Sequence, residues 1–183
     1  MSRGKISIQN LCHISIFTAV IAIMAQISIP TPLGVPLTMQ TFAVALAGVV
    51  LGAKKGALAA FVYLMLGTFG APIFANFRGG FDLIIGPTGG FLLSFPLFAF
   101  AAGFGADRER CLWLAIGLAV GSAVNLSMGM LQLAFVNQIS LQAAFVAGVM
   151  PFLPVEMIKM VLVFVIGSRM RKIVEKIKNR PNV

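Results

Sequence analysis

The sequence predicts an all-α integral membrane protein of six transmembrane helices, with both termini on the cytoplasmic side. Three observations lead there: the apolar fraction, the spacing of the apolar stretches, and the placement of the basic residues. Of the 183 residues, 59% are apolar and only 10% are charged, against roughly 45–50% and 25% in ordinary soluble domains. A soluble domain of this length has too little interior to hide so much apolar surface. Soluble enzymes, nucleic-acid modules and disordered chains are thereby excluded.

Stretches apolar enough to cross roughly 30 Å of hydrocarbon fall at 8–29, 38–53, 56–72, 88–105, 112–135 and 148–168. They form one membrane domain over 1–183. The first has no small-residue cleavage pattern and reads as a retained helix. The second and third are short and meet at Gly52-Ala-Lys-Lys-Gly56, a tight charged turn. The fourth starts after Gly86-Pro87, where proline suits the first turn of a helix. A long loop, 73–87, separates the third span from the fourth.

Six crossings put Arg3, Lys5, Lys54, Lys55, Arg108, Arg110, Arg169, Arg171, Lys172, Lys176, Lys178 and Arg180 on one side. The other side receives Arg78 alone, and Lys159 sits inside the sixth span. The positive-inside rule makes the basic side cytoplasmic, which accounts for the net charge of +9 without nucleic acid. The basic tail reads as an anchor to anionic headgroups. Cys12 and Cys111 suggest neither a disulfide framework nor a metal site and read as small buried apolar residues.

The polar residues left over mark candidate chemistry. The long loop holds Asn76, Arg78 and Asp82 among five glycines and three phenylalanines (Phe74, Phe77, Phe81). Glycines allow close approach of backbone to a ligand, an arginine offers a planar fork to a carboxylate, and aromatics cover an organic ring. The alternative is an outer cap in which Arg78 and Asp82 pair with each other. Gly86-Pro-Thr-Gly-Gly90 lacks the lysine and strand context of a nucleotide loop.

In the sixth span, Glu156 and Lys159 share one helix face. Ionisable groups inside a span face a bundle interior, a partner or a watery cavity. Either the two neutralise each other, or the lysine holds an anionic substrate group that Glu156 helps orient. Gln40 opens the second span near the outer face. Tyr63 and Asn125 read as interhelical hydrogen bonders. Small-residue rows in the first span, Ser15-x-x-x-Ala19 and Thr18-x-x-x-Ala22, admit close approach of another helix, within the bundle or from a partner.

Four stretches then carry a likeness: Pro36-Leu-Thr-Met-Gln-Thr41, Tyr63-Leu-Met-Leu-Gly-Thr-Phe-Gly-Ala-Pro-Ile-Phe74, Arg78-Gly-Gly with Gly86-Pro-Thr-Gly-Gly-Phe91, and Pro151-Phe-Leu-Pro-Val-Glu-Met-Ile-Lys159. In order and spacing the chain resembles the BioY family, the biotin-specific membrane components of energy-coupling-factor (ECF) transporters.

The resemblance implies a six-helix subunit of the cell membrane that captures biotin from outside. It also implies a transmembrane coupling protein and two ABC-type ATPases as partners, with no cofactor and no catalytic residue of its own. Carried over by motif, Arg78, Lys159 and Glu156 are implied as substrate-binding, with Asn76 and Asp82 beside them. Lys159 and Arg78 compete for the carboxylate, while Asn76, Asp82 or Gln40 meets the ureido head. Glu156 departs from the family pattern, in which an aspartate precedes the lysine by three. The first helix of such subunits docks on the coupling protein through small residues, implying Ser15, Ala19 and Ala22 here. A capture subunit for another vitamin, and a small intramembrane enzyme or self-sufficient carrier, are the alternatives.

Overall fold

The computed structural model describes residues 8–31, 35–108 and 110–178, with side chains through 173. Arg3, Lys5 and Arg180, and the side chains of Lys176 and Lys178, lie outside the described residues. Eight helices follow in order: α1 (Ile8–Ala25), α2 (Gln40–Leu51), α3 (Ala53–Thr68), α4 (Asp82–Ile85), α5 (Gly89–Asp107), α6 (Cys111–Asn137), α7 (Leu141–Gly148) and α8 (Leu153–Lys178). A 3-10 turn covers Ala75–Phe77, and Ser28–Ile29 (β1) pairs antiparallel with Leu37–Thr38 (β2).

The first, fourth and fifth expected spans match α1, α5 and α6, each long and apolar enough to cross a membrane. The others need correction. The first helix stops at Ala25, because the chain turns there into β1. The sixth stretch falls on α8, which starts later, at Leu153, and a short helix not expected from the sequence, α7, precedes it at an angle of 53°; Pro151, in the break, and Pro154, at the start of α8, interrupt the backbone ladder. α2 and α3, with 12 and 16 residues, reach only about 18 and 24 Å, short of a hydrocarbon core. The long loop is structured, holding the 3-10 turn and α4.

α2 explains its own shortness. Gln40 and the whole run Phe42–Val50 are buried, and an apolar helix covered all round is a core element. Small residues let its neighbours close in. A Cβ on Gly48 would stand 2.2 Å from the Ala99 carbonyl oxygen of α5, and one on Gly56 of α3 would meet Gly48 at 2.5 Å. α5 and α6 cross through Gly105 and Gly117 in the same way. Outward faces stay apolar: Ile16, Ile23, Phe135 and Val161 are all exposed. For a membrane protein that face meets lipid, which also explains why Cys12 and Cys111 are exposed rather than buried as expected.

One end of the bundle is basic and tied together by Asp107. Its Oδ2 accepts from the Ala53 backbone N–H at 3.1 Å, capping α3, and its Oδ1 accepts from Arg171 Nη2 at 2.9 Å. Arg171 Nη1 also donates to the Val49 carbonyl. These bonds collect the start of α3 with Lys54 and Lys55, the α5–α6 turn with Arg108 and Arg110, and the far half of α8. Gly52 makes the turn at φ 82°, against the Asp107 carboxylate. Arg78 and Asp82 lie at the opposite end, with the long loop.

Candidate functional site

At that opposite end a cavity of about 230 Å³ opens between the long loop, the β1–β2 hairpin, the ends of α2, α5 and α8 and the middle of α6. Its walls are chiefly apolar, with Phe74, Phe91, Leu92, Phe95, Leu126 and Phe152 among them. Of the three loop phenylalanines only Phe74 turns inward; Phe77 and Phe81 are exposed. Aromatic cover comes instead from the helices.

The polar groups sit in patches. The first joins α2 and α8. Lys159 Nζ donates to Glu156 Oε2 at 3.1 Å and to Thr41 Oγ1 at 2.9 Å, while Thr41 Oγ1 donates to the same carboxylate oxygen at 2.9 Å. Lys159 and Glu156 are 4% and 5% exposed, although both line the cavity. Helix geometry makes the pair, since three residues bring the side chains onto one face. Two turns into α8, Lys159 stands about 9 Å from the helix start. Glu156 Oε1 is buried and has no hydrogen-bond partner among the described residues. A buried acceptor without a donor costs about 1–3 kcal/mol, so a ligand N–H at that atom recovers a real penalty.

The second patch joins α5 and α6. Asn125 Nδ2 donates to Ser94 Oγ at 2.6 Å and to the Phe91 carbonyl at 2.9 Å. Asn125 lines the cavity and is 1% exposed. The third is a relay: Thr38 Oγ1 donates to Gln40 Oε1 at 2.9 Å, Gln40 Nε2 donates to Tyr63 Oη at 2.6 Å, and Tyr63 Oη donates to the Ile73 carbonyl at 3.1 Å.

At the rim stand Asn76 and Arg78. Arg78 reaches Asp82 at only 3.5 Å, and their side chains are 60% and 66% exposed. Such a loose exposed pair contributes little, and Arg78 remains available to an anion.

Of the residues singled out from the sequence, the fold therefore brings Gln40, Asn76, Arg78, Glu156 and Lys159 to one cavity. Asp82 stands off its wall, attached through Arg78. In α1 the two small-residue rows face opposite ways. Thr18 is buried, its hydroxyl bonded to the Ala59 carbonyl at 3.1 Å, and Ala25 is buried. Ser15 and Ala19 are exposed, with Ala22 between the two classes.

Three residues escaped the sequence reading: Thr41, Gln26 and Gln132. Gln132 Nε2 donates to the Ile84 and Gly86 carbonyls at 2.7 and 2.8 Å, pinning the Gly86-Pro-Thr-Gly-Gly90 turn from α6. The signal was available, because a glutamine within an apolar span needs a partner. Gly89 and Gly90 fit because a Cβ on either would strike Ile84 or Met128 backbone oxygens.

Comparison with known proteins gives the site its setting. The biotin transporter BioY of Thermotoga maritima is 40% identical over 168 residues, covering 90% of this chain and 97% of the relative. A probable biotin transporter BioY of Pyrococcus horikoshii is 39% identical over 86% of this chain and 93% of its own. Among solved structures, the S-component for biotin from an ECF-type ABC transporter superposes with a TM-score of 0.83 at 27% identity, covering 90% of this chain and 92% of that one. The model of the BioY family matches residues 1–176. With its fold and relatives in agreement over nearly the whole length, the chain belongs to the BioY family.

Proposed function

We propose that this chain captures biotin from the outer side of the cell membrane, as the substrate-binding subunit of an ATP-driven importer of the ECF type. It is a transporter component and not an enzyme, in keeping with relatives named as biotin transporters. A transmembrane coupling protein and two ABC-type ATPases supply the energy. Six crossings with cytoplasmic termini fit the basic end described above. The short α2 fits too: enclosed by protein, it has no lipid thickness to match.

The observation that carries the reading is the polar floor of an otherwise apolar cavity. Glu156 Oε1 is an orphaned acceptor, and the Asn125 amide lines the same cavity. A ureido head, with two N–H donors and one carbonyl, suits such a floor. The Lys159 charge is already balanced by Glu156 at 3.1 Å. A second carboxylate buried there lacks compensation and carries a desolvation cost. The biotin carboxylate therefore points to the rim, where the exposed Arg78 receives it. Phe91, Phe95 and Phe152 enclose the apolar ring and chain. A largely preformed, mostly apolar cavity with few polar groups loses little binding energy to ordering.

Equilibrium binding of labelled biotin to the purified, detergent-solubilised chain tests this, with excess thiamine and riboflavin as competitors. Saturable binding displaced only by biotin is the expected result. Folded protein that binds no biotin overturns the assignment.

A further inference from the structure

The half of the long loop nearest the cavity rim depends on a residue outside it. Gln26 follows directly on the last residue of α1. Its Nε2 donates to the Ala22 carbonyl of its own helix at 3.0 Å, and to the Phe74 and Ile73 carbonyls of the loop at 3.2 and 3.3 Å. Its Oε1 accepts from the Phe77 backbone N–H at 2.9 Å. One side chain thus grips both sides of the Ala75–Phe77 turn.

That turn needs gripping. Asn76 (φ 59°) and Phe77 (φ 54°) both occupy the left-handed region, which is costly for a bulky side chain such as phenylalanine. Phe77 gains nothing by packing, since it is 71% exposed. Yet the two residues lie between Phe74, which is buried against Tyr63 at a ring separation of 5.4 Å, and Arg78. The Phe74 N–H donates to the Arg78 carbonyl at 2.8 Å, closing the turn. The backbone conformation at 76–77 therefore decides where Asn76 and Arg78 stand at the rim.

We propose that Gln26 is a positioning residue for substrate retention: it holds the left-handed turn at Asn76–Phe77 and so presents Asn76 and Arg78 to the cavity. This rests on the reading of the cavity as the biotin site. Gln26 itself does not line the cavity and acts only through the loop. It also makes the rim part of the end of α1, so that displacement of α1 is felt by the loop.

The test compares Gln26→Ala with Thr18→Ala, which removes the other α1 side-chain tie, the one to Ala59, away from the rim. Both are measured for biotin dissociation rate, for thermal unfolding without ligand, and for amide hydrogen exchange across 74–78 without ligand. Gln26→Ala is expected to exchange faster at 74–78 and to release biotin about tenfold faster, the effect of roughly one or two lost hydrogen bonds. Thr18→Ala lowers stability but leaves release within about twofold.

Adding Phe77→Gly to Gln26→Ala restores part of the retention, because glycine adopts positive φ freely. Should Gln26→Ala fail to fold, Gln26→Glu is read in its place; it keeps the acceptor for the Phe77 N–H and loses the donor, and still releases biotin faster. Unchanged release in the folded Gln26 variant, or an equal acceleration in Thr18→Ala, overturns the proposal. If the wild type binds no biotin, the functional reading falls, and exchange at 74–78 still decides whether Gln26 holds the turn.

Discussion

Lys159→Ala is the perturbation that separates a structural ion pair from a binding site. In the folded protein Lys159 Nζ lies 3.1 Å from Glu156 Oε2, and the two side chains are 5% and 6% exposed. Removing the lysine leaves a buried carboxylate with Thr41 as its remaining donor and Oε1 still unpaired. Breaking a buried pair from one side costs about 3–5 kcal/mol, so ligand-free Lys159→Ala unfolds at markedly lower temperature. Without Lys159 the Glu156 carboxylate loses the group that holds it at the cavity floor, and weakening its charge-assisted contact to the ureido head by about 1.5–3 kcal/mol lowers affinity about ten- to hundredfold.

The double variant Glu156→Leu/Lys159→Met distinguishes the two roles. Apolar replacement of a whole buried pair is neutral or stabilising in many proteins, so thermal stability returns towards wild type. Biotin binding, measured with labelled ligand on the same preparation, stays lost if the pair forms the floor of the site. A stable double variant with wild-type affinity refutes the reasoning, and unchanged affinity in Lys159→Ala alone removes that residue from the site.

Other consequences follow from the same geometry. Arg78→Ala changes stability by less than about 0.5 kcal/mol, as an exposed substitution, yet weakens biotin binding; the same variant assayed with biotin methyl ester, which lacks the anionic carboxylate, shows little further loss. Gly67→Ala sets a Cβ 2.2 Å from the Phe74 ring and destabilises the protein by about 1–3 kcal/mol through overpacking, with looser biotin binding, seen by thermal unfolding and ligand titration. Asp107→Ala removes the cap on Ala53 and the Arg171 contact, costing about 1 kcal/mol or more in thermal unfolding, with biotin affinity unchanged. Single cysteines in a cysteine-free background report sidedness: a membrane-impermeant maleimide labels Arg78→Cys on intact cells and labels Lys54→Cys only after permeabilisation.

Much of the architecture was legible because the bilayer imposes simple rules. α1, α5 and α6 are apolar for long enough to be read directly. Arg108 and Arg110 fall in the α5–α6 turn as expected, whereas Lys54 and Lys55 lie in the first turn of α3, the expected charged turn being Gly52 alone; Asp107 gathers both regions at one end. Glu156 and Lys159 announced themselves as charges inside a span, and their spacing gave the shared face. The boundaries of α2 and α3 were less legible, because hydropathy measures apolarity and cannot tell lipid contact from burial inside the bundle. Cys12 and Cys111 misled for the same reason: an apolar neighbourhood is also what a lipid-facing surface provides.

Sequence alone determined the membrane class, the basic end and the identity of most polar groups at the cavity, since these depend on composition and on periods along one helix. The tertiary structure alone decided which of those groups meet. It turned Ser15 and Ala19 outward and Thr18 inward, placed Asp82 off the wall, and left Glu156 Oε1 without a donor. It also joined Thr41 to a pair more than a hundred residues away and set Gln26 across the loop. The physical reason is that a hydrogen bond between distant segments depends on helix packing and crossing, and local spacing along the chain carries no record of either.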